Sequence, residues 1–258
     1  MEQILNKAGF ISDMDGVIYH GNRILDGVAD FINWMIDNNK KFVFLTNSSE
    51  KTPHELSMKL QRMGLNVPAG NFYTSAMATA DFLHAQKPDC TAYVIGEAAL
   101  TKALYDQKIY MNDINPDYVV VGETRTYSFE KIEKAIELVL KGAKLIGTNP
   151  DITGPTEKGL MPATGALIAP IEIATGKKAY FVGKPNPLML RHGLKMLGCH
   201  SEEIAFIGDR MDTDIIAGIE SNVDTVLVLS GVTKIEDIDK FPYRPKFILN
   251  GVGDLVKK

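Results

Sequence analysis

The sequence predicts an α/β protein: a doubly wound parallel sheet with a smaller α/β domain inserted into it. Three observations predict this. Apolar, β-branched runs alternate with helix-period patterns along the whole chain, the rhythm of right-handed strand–helix–strand units. Runs such as Phe42-Val43-Phe44-Leu45 and Val226-Leu227-Val228-Leu229 are apolar without a break, as strands buried on both faces require. The middle third has its own strand–helix rhythm, interrupted by a Pro/Gly-rich stretch over residues 149–165 that reads as irregular backbone.

Taken in order, strands are expected near residues 10–13, 41–46, 71–74, 91–95, 118–121, 145–148, 180–182, 204–207 and 225–229. Helices are expected over 28–38, 53–63, 129–140 and 187–197, where apolar residues recur at helical spacing. In the last of these, Leu188, Leu190, Leu194 and Leu197 read as a core stripe rather than a binding face. The Thr175-Gly176-Lys177-Lys178 turn marks an exit from the insertion, whose start falls between residues 76 and 89. The expected division is residues 1–83 with 179–258 as the main domain, and 84–178 as the insertion.

A chain of 258 residues with 45% hydrophobic content and a net charge of −4 is ordinary globular material. The mild negative balance offers no basic footprint for nucleic acid. No apolar run approaches the roughly 20 residues of a membrane helix, and the first residues lack a charged-then-apolar leader pattern. Cys90 and Cys199 are far apart without a CxxC spacing, so reduced thiols and a cytoplasmic location are expected. Asn47-Ser48-Ser49 matches a glycosylation acceptor, a match discounted without a secretory leader.

Chemistry concentrates at strand ends, where open α/β sheets bind ligands. Asp13 and Asp15 end the first strand, two apart, so that both carboxylates face one point. Two anions there repel unless compensated, and the natural compensator is Mg²⁺, which takes a few carboxylates together with substrate phosphate oxygens. Thr46-Asn47-Ser48 ends the second strand; Thr46 or Ser48 is alternatively a cap for the helix near Pro53. Lys184 follows Tyr180-Phe181-Val182-Gly183, and Gly208-Asp209 leads into Asp212, Thr213 and Asp214. The set suits phosphoryl transfer, which needs a nucleophile, a metal to offset charge and fixed donors around the phosphoryl oxygens. One carboxylate attacks phosphorus, and a second protonates the leaving oxygen and then activates water. A hydroxyl, backbone N–H groups and an ammonium hold the phosphoryl oxygens. Asp209 completes the metal site, Asp214 acts directly or by orienting a metal-bound water, and Asp212 has no assigned role.

Asp13-x-Asp15-Gly16-Val17, Thr46-Asn47, Lys184-Pro185 and Gly208-Asp209-x-x-x-x-Asp214 resemble the four motifs of the haloacid dehalogenase (HAD) superfamily. The resemblance implies a Rossmann-like core, Asp13 as nucleophile and Asp15 as general acid/base. It implies Thr46 and Lys184 on the phosphoryl group, and Mg²⁺ held by Asp13, Asp209 and the backbone carbonyl of Asp15, with Asp214 nearby or acting through water. The His20-Gly21-Asn22-Arg23 turn falls where the family has a β-hairpin flap. Residues 72–80, Val121-Gly122-Glu123-Thr124, Thr148-Asn149-Pro150-Asp151, Val182-Gly183-Lys184-Pro185 and Asp214-Ile215-Ile216-Ala217-Gly218 are similar to NagD-type phosphatases. That group carries a type IIA α/β cap between the second and third motifs.

The expected function is therefore Mg²⁺-dependent hydrolysis of small-molecule phosphomonoesters (nucleoside monophosphates, sugar phosphates or aryl phosphates) through an aspartyl-phosphate. Asn47 joins Thr46 and Lys184 as a substrate-binding residue. Asn149, Asp151 and Thr164, in the polar and glycine-rich cap loops, are expected to face the leaving group, and homo-oligomerisation through the cap fits the resemblance. Two rivals are a phosphoacceptor module of the receiver type, which uses a similar acidic cluster with Thr/Ser and Lys, and an inactive binding protein on the same fold. Asp15 argues against the first and the complete motif set against the second. No nucleotide-triphosphate loop or zinc-ligand spacing occurs.

Overall fold

The computed structural model describes residues 2–156 and 159–256. Contacts divide the chain into two compact units. One holds the residues up to Thr46, Ser57–Tyr73 and those from Lys184 onward; the other holds Asn47–Leu56 and Thr74–Gly183. The strands run β1 (Gly9–Ser12), β2 (Tyr19–His20), β3 (Arg23–Ile24), β4 (Lys41–Thr46) and β5 (Phe72–Thr74). There follow β6 (Thr91–Ile95), β7 (Tyr110–Met111), β8 (Tyr118–Val121), β9 (Lys144–Gly147), β10 (Thr153–Thr156), β11 (Gly159–Pro162) and β12 (Tyr180–Phe181). The last three are β13 (Ile204–Gly208), β14 (Asp224–Val228) and β15 (Phe247–Leu249).

The first unit is built on a sheet of order β15-β14-β13-β1-β4-β5. β1 pairs in parallel with both β13 and β4, β13 with β14, and β14 with β15. The chain thus leaves β1 toward one edge and later returns to build the other, which makes β1/β13 the topological switch point. All four residues of β1 are buried, because helices cover both of its faces. Phe10 meets Phe31 edge-on at 5.6 Å and Trp34 at 5.9 Å, both from the helix Val28–Asp37. Its neighbour Ile11 points the other way, toward Gly193 of the helix Pro187–Leu197, which packs on β1 and β4. That helix is well punctuated: Asn186 accepts from the Leu188 N–H, Pro187 occupies the first turn, and Gly198 ends it at φ 59°.

The second unit has a five-stranded sheet of order β12-β9-β8-β6-β7 with every neighbouring pair parallel. Its core joins Ile95, Val119, Val121 and Leu145 of the sheet to Leu138, Ile168 and Ile171 of the helices Phe129–Leu140 and Thr164–Thr175. The helix Ser75–Gln86 packs on Ala98–Asp106. The helix Pro53–Arg62 begins with a capping box supplied by Thr52 and Glu55, so neither Thr46 nor Ser48 caps it.

Several elements depart from the sequence expectation. Residues 149–165 are not irregular throughout. β10 and β11 form an antiparallel hairpin there, with 157 and 158 outside the described residues. The helices Ser75–Gln86, Ala98–Asp106 and Thr164–Thr175 add to the four expected. The second compact unit takes in Thr74–Gly183 together with Asn47–Leu56, and two pairings accompany that grouping. Ser75–Gln86 packs against an inserted helix, and β12 pairs with β9.

Candidate active site

The first unit carries its polar groups at the carboxyl ends of β1, β4 and β13. Asp13 directly follows β1, its N–H continuing the ladder to the Ile207 carbonyl at 2.8 Å. Lys184 is 2% exposed, and its ammonium donates to Asp13 Oδ1 at 2.6 Å and to Asp214 Oδ1 at 2.8 Å. Burial alone would lower its pKa, but the charges of Asp13 and Asp214 outweigh that and hold it above the ordinary value. Burial raises the Asp13 pKa well above the usual carboxylate range; Lys184 opposes this, while Asp214 and Asp209 add to it.

Asp209 follows Gly208 at the end of β13. Its Oδ2 accepts from the Val232 N–H at 2.7 Å, whereas its Oδ1 is buried without a hydrogen-bond partner. Burial, reinforced by the charge of Asp214, pushes its pKa up to about 7. Asp214 is brought back to β13 by a wide π-helical turn over Met211–Ile215, and its Oδ2 accepts from the N–H groups of Asp209 and Arg210. A Cβ on Gly208 would fall 2.2 Å from Asp214 Cβ, so glycine is what lets this carboxylate fold against the strand end.

Asp13, Asp209 and Asp214 each offer an oxygen within 4.8 Å of the others. Among the described residues, Lys184 is in hydrogen-bond contact with two of the three carboxylates and Arg210 acts on Asp209 through its charge, so negative charge is concentrated in a buried place. A hard divalent cation meets that need, and the unspent Asp209 Oδ1 is the acceptor a cation would take. Asp214 fits less well as a direct ligand, since Lys184 and two backbone N–H groups already engage its oxygens.

Asp15 is held by a hydrogen bond from Tyr19 Oη to Oδ2 at 3.3 Å. Burial raises its pKa, with Lys59 the largest opposing influence. Between the two aspartates' loop and β2, Gly16 adopts φ +81°, and a Cβ there would fall 2.6 Å from Asp209 Oδ2. The expected flap is the β2–β3 hairpin; Ser230 Oγ donates to the Gly16 carbonyl ahead of it at 2.8 Å, and His20 Nε2, beside the turn, meets the Ser230 carbonyl at 2.8 Å. Thr46 is the buried last residue of β4. Asp212 pairs with Arg210 and is half exposed.

The other predicted residues lie in the second unit. Asn47 Nδ2 donates to Asp151 Oδ2 at 2.9 Å. Asn149 and Thr164 are wholly buried, with Asn149 Nδ2 donating to the Asn47 carbonyl and Glu123, and Thr164 Oγ1 meeting Thr148 Oγ1. Both therefore turn their polar groups toward protein neighbours. Sequence reasoning missed Tyr19, Ser230 and Ser49. It quoted Glu123 only as part of a resemblance; a Glu directly after an apolar strand and a glycine was the available signal.

The chain belongs to the HAD family of hydrolases. Models described as haloacid dehalogenase-like hydrolase and HAD-hydrolase-like match residues 10–109 and 181–255, and the sheet order with its inserted cap is the fold of that family. Within the family it is a phosphatase of NagD type. It is 48% identical to the dihydroxyacetone phosphatase of Corynebacterium glutamicum strain R over 95% of this chain and 90% of that protein. With the ribonucleotide monophosphatase NagD of Escherichia coli K12 it shares 44% identity over 95% and 96%. The solved structure of NagD from that strain superposes with a TM-score of 0.91, covering 96% of this chain and 98% of that one at 43% identity. The 4-nitrophenylphosphatase of Thermotoga maritima superposes with a TM-score of 0.94 at 34% identity, over 99% and 98%.

Proposed function

We propose that this phosphatase hydrolyses small-molecule phosphomonoesters with the help of Mg²⁺ and through an aspartyl-phosphate on Asp13. The observation that carries the reading is the buried Asp13–Lys184–Asp214 chain with Asp209 alongside. Asp13 attacks phosphorus as the bond to the leaving oxygen breaks, and Asp15 gives that oxygen its proton. Asp15, now a base, takes a proton from water as the water attacks phosphorus; the bond from phosphorus to Asp13 breaks and inorganic phosphate leaves. Lys184, Thr46 and the N–H groups of the loop that begins with Asn47 hold the phosphoryl oxygens. Asp13, Asp209 and the carbonyl of Asp15 would hold Mg²⁺, with Asp214 orienting from behind. When bound, the ion offsets the charge of the nucleophile and of the phosphoryl oxygens.

Residues 1–83 with 179–258 act as the hydrolase core in this reading, and residues 84–178 as the part that sets specificity. Asp151 and the loop before Thr164 contribute to leaving-group choice, while Asn149 and Thr164 shape those loops from within. The substrate class is that of small phosphorylated metabolites, for which relatives named for dihydroxyacetone phosphate, ribonucleotides and sugar phosphates are the support. The enzyme works in the cytoplasm, without nucleic acid or membrane partners, and assembles through its cap if it forms homo-oligomers. Among the described residues no helix is long and apolar enough to cross a membrane.

The test is phosphate release from a panel of triose, sugar, nucleoside and aryl monophosphates, with and without Mg²⁺, for the native chain and Asp13→Asn. Release that needs Mg²⁺ and vanishes in the variant is expected. Equal release from Asp13→Asn would overturn the assignment of the nucleophile.

A further inference from the structure

Glu123 is a buried carboxylate to which the mechanism gives no task. It follows β8 and Gly122, is 8% exposed, and takes its hydrogen bonds from neutral donors. Its Oε2 accepts from the Ser49 N–H at 3.1 Å and from the Ser49 hydroxyl. Its Oε1 accepts from Asn149 Nδ2 at 2.6 Å, and its own N–H donates back to Ser49 Oγ at 3.2 Å. An ionised group without a cationic partner is costly to bury, and burial duly raises its pKa against the pull of the Ser49 and Asn149 donors.

Of the donors that Glu123 gathers, Ser49 belongs to the loop that follows β4 and Asn149 to the segment that follows β9. Asn149 Nδ2 also donates to the Asn47 carbonyl at 2.7 Å, where Ser75 Oγ donates as well. Ser49 and Asn149 are both 0% exposed. A Cβ on Gly122 would fall 2.6 Å from Ser49 Oγ, so the glycine clears the space in which Ser49 seats. One carboxylate thus fixes Ser49 directly and Asn47 through Asn149, and only a group with two acceptor oxygens can do both.

We propose that Glu123 is a positioning residue that sets the conformation of the Asn47–Ser49 loop, and with it the grip on phosphate. The proposal rests on the reading given above, in which this loop holds the phosphoryl oxygens. It has a distinctive consequence. A defect in the phosphate grip is common to every phosphomonoester, so Glu123 variants weaken all substrates by one factor and leave their ranking untouched.

The experiment compares native chain, Glu123→Gln, Ser49→Ala and the double variant, each checked for folding by its Tm. The readouts are kcat and KM on a triose, a nucleoside and an aryl monophosphate, and inhibition by inorganic phosphate. Glu123→Gln keeps the volume but turns an amide toward one of its two donors. Its kcat/KM should fall by about tenfold to a hundredfold on all three substrates, with the inhibition constant for inorganic phosphate rising in parallel. Ser49→Ala removes one arm of the same unit, so the double variant should lose little more than Glu123→Gln alone. If Glu123→Gln fails to fold, Ser49→Ala carries the test by itself. A changed substrate ranking, a lowered Tm with native kinetics and phosphate inhibition, or strictly additive losses would overturn the proposal. A native chain that neither releases nor binds phosphate would instead overturn the underlying reading, and this one with it.

Discussion

Lys184 is hydrogen-bonded to two buried carboxylates and neutralises one charge of the three that Asp13, Asp209 and Asp214 bring together. Lys184→Ala would leave Asp13 and Asp214 buried without their cation, at a cost of about 3–5 kcal/mol. Thermal denaturation should show that loss, and it should be smaller in Mg²⁺ than in chelator. The concentrated negative charge has a pH signature of its own. The Asp209 pKa stands at about 7 in the folded metal-free chain against an ordinary 3.8, so the fold binds more protons than the unfolded chain between those values. From this group, stability is therefore fullest below the ordinary value and is lost as pH rises toward 7. Mg²⁺ replaces the proton, so its stabilising shift in Tm should be larger at pH 8 than at pH 5; a shift independent of pH would contradict it. In the proposed mechanism Asp15 gives up a proton in the first step, and burial shifts its pKa upward, the direction that role needs. The activity profile should fall on the alkaline side as that proton is lost, and Asp15→Asn should remove the fall along with most of the rate.

At the scale of the element, the site depends on where strands stop and how tightly their ends turn. Gly16→Ala forces a side chain into φ +81° and to 2.6 Å from Asp209 Oδ2, a strain of order 1–3 kcal/mol. The variant should lower Tm and weaken Mg²⁺ affinity together, as calorimetric titration would read. What the sequence made legible follows the same physics. β4 is an unbroken apolar run and appears at its expected bounds, Lys41–Thr46. The helix Ser75–Gln86 left no stripe to read. Its buried positions, Ser75, Ala76, Ala78, Thr79, Ala80 and Leu83, are mostly small and spread around the axis. Thr164–Thr175 hid in the same way, being apolar nearly all round with Pro170 inside. β7 and β15 are edge strands of two and three residues, shorter than any periodicity can reveal. The β10–β11 hairpin is rich in Gly and Pro, which reads as loop until the pairing is seen.

Across the whole molecule, residues far apart in sequence come together, Lys184 and Asp13 across 171 positions; the motifs after β1, β4 and β13 share one place because the parallel strands of one sheet end on the same side. That rule made Asp13, Thr46 and Asp209 legible from strand ends, whereas Lys184 follows β12, a strand of the other sheet. The bounds of the insertion are less legible, since β12 has the look of a core strand while it pairs with β9. Asn149 shows a second limit: polarity within a loop motif marks it as special without telling whether it meets a ligand or, as here, the backbone of Asn47.

The central claim is that Asp13 becomes phosphorylated during turnover. The most direct measurement mixes the enzyme with Mg²⁺ and a phosphomonoester carrying labelled phosphate, quenches it in acid within the first turnovers, and maps the labelled peptide. The account predicts label on the peptide containing Asp13, lost on further incubation and absent from Asp13→Asn. Full turnover with no label on the protein, or label on another residue, would contradict it.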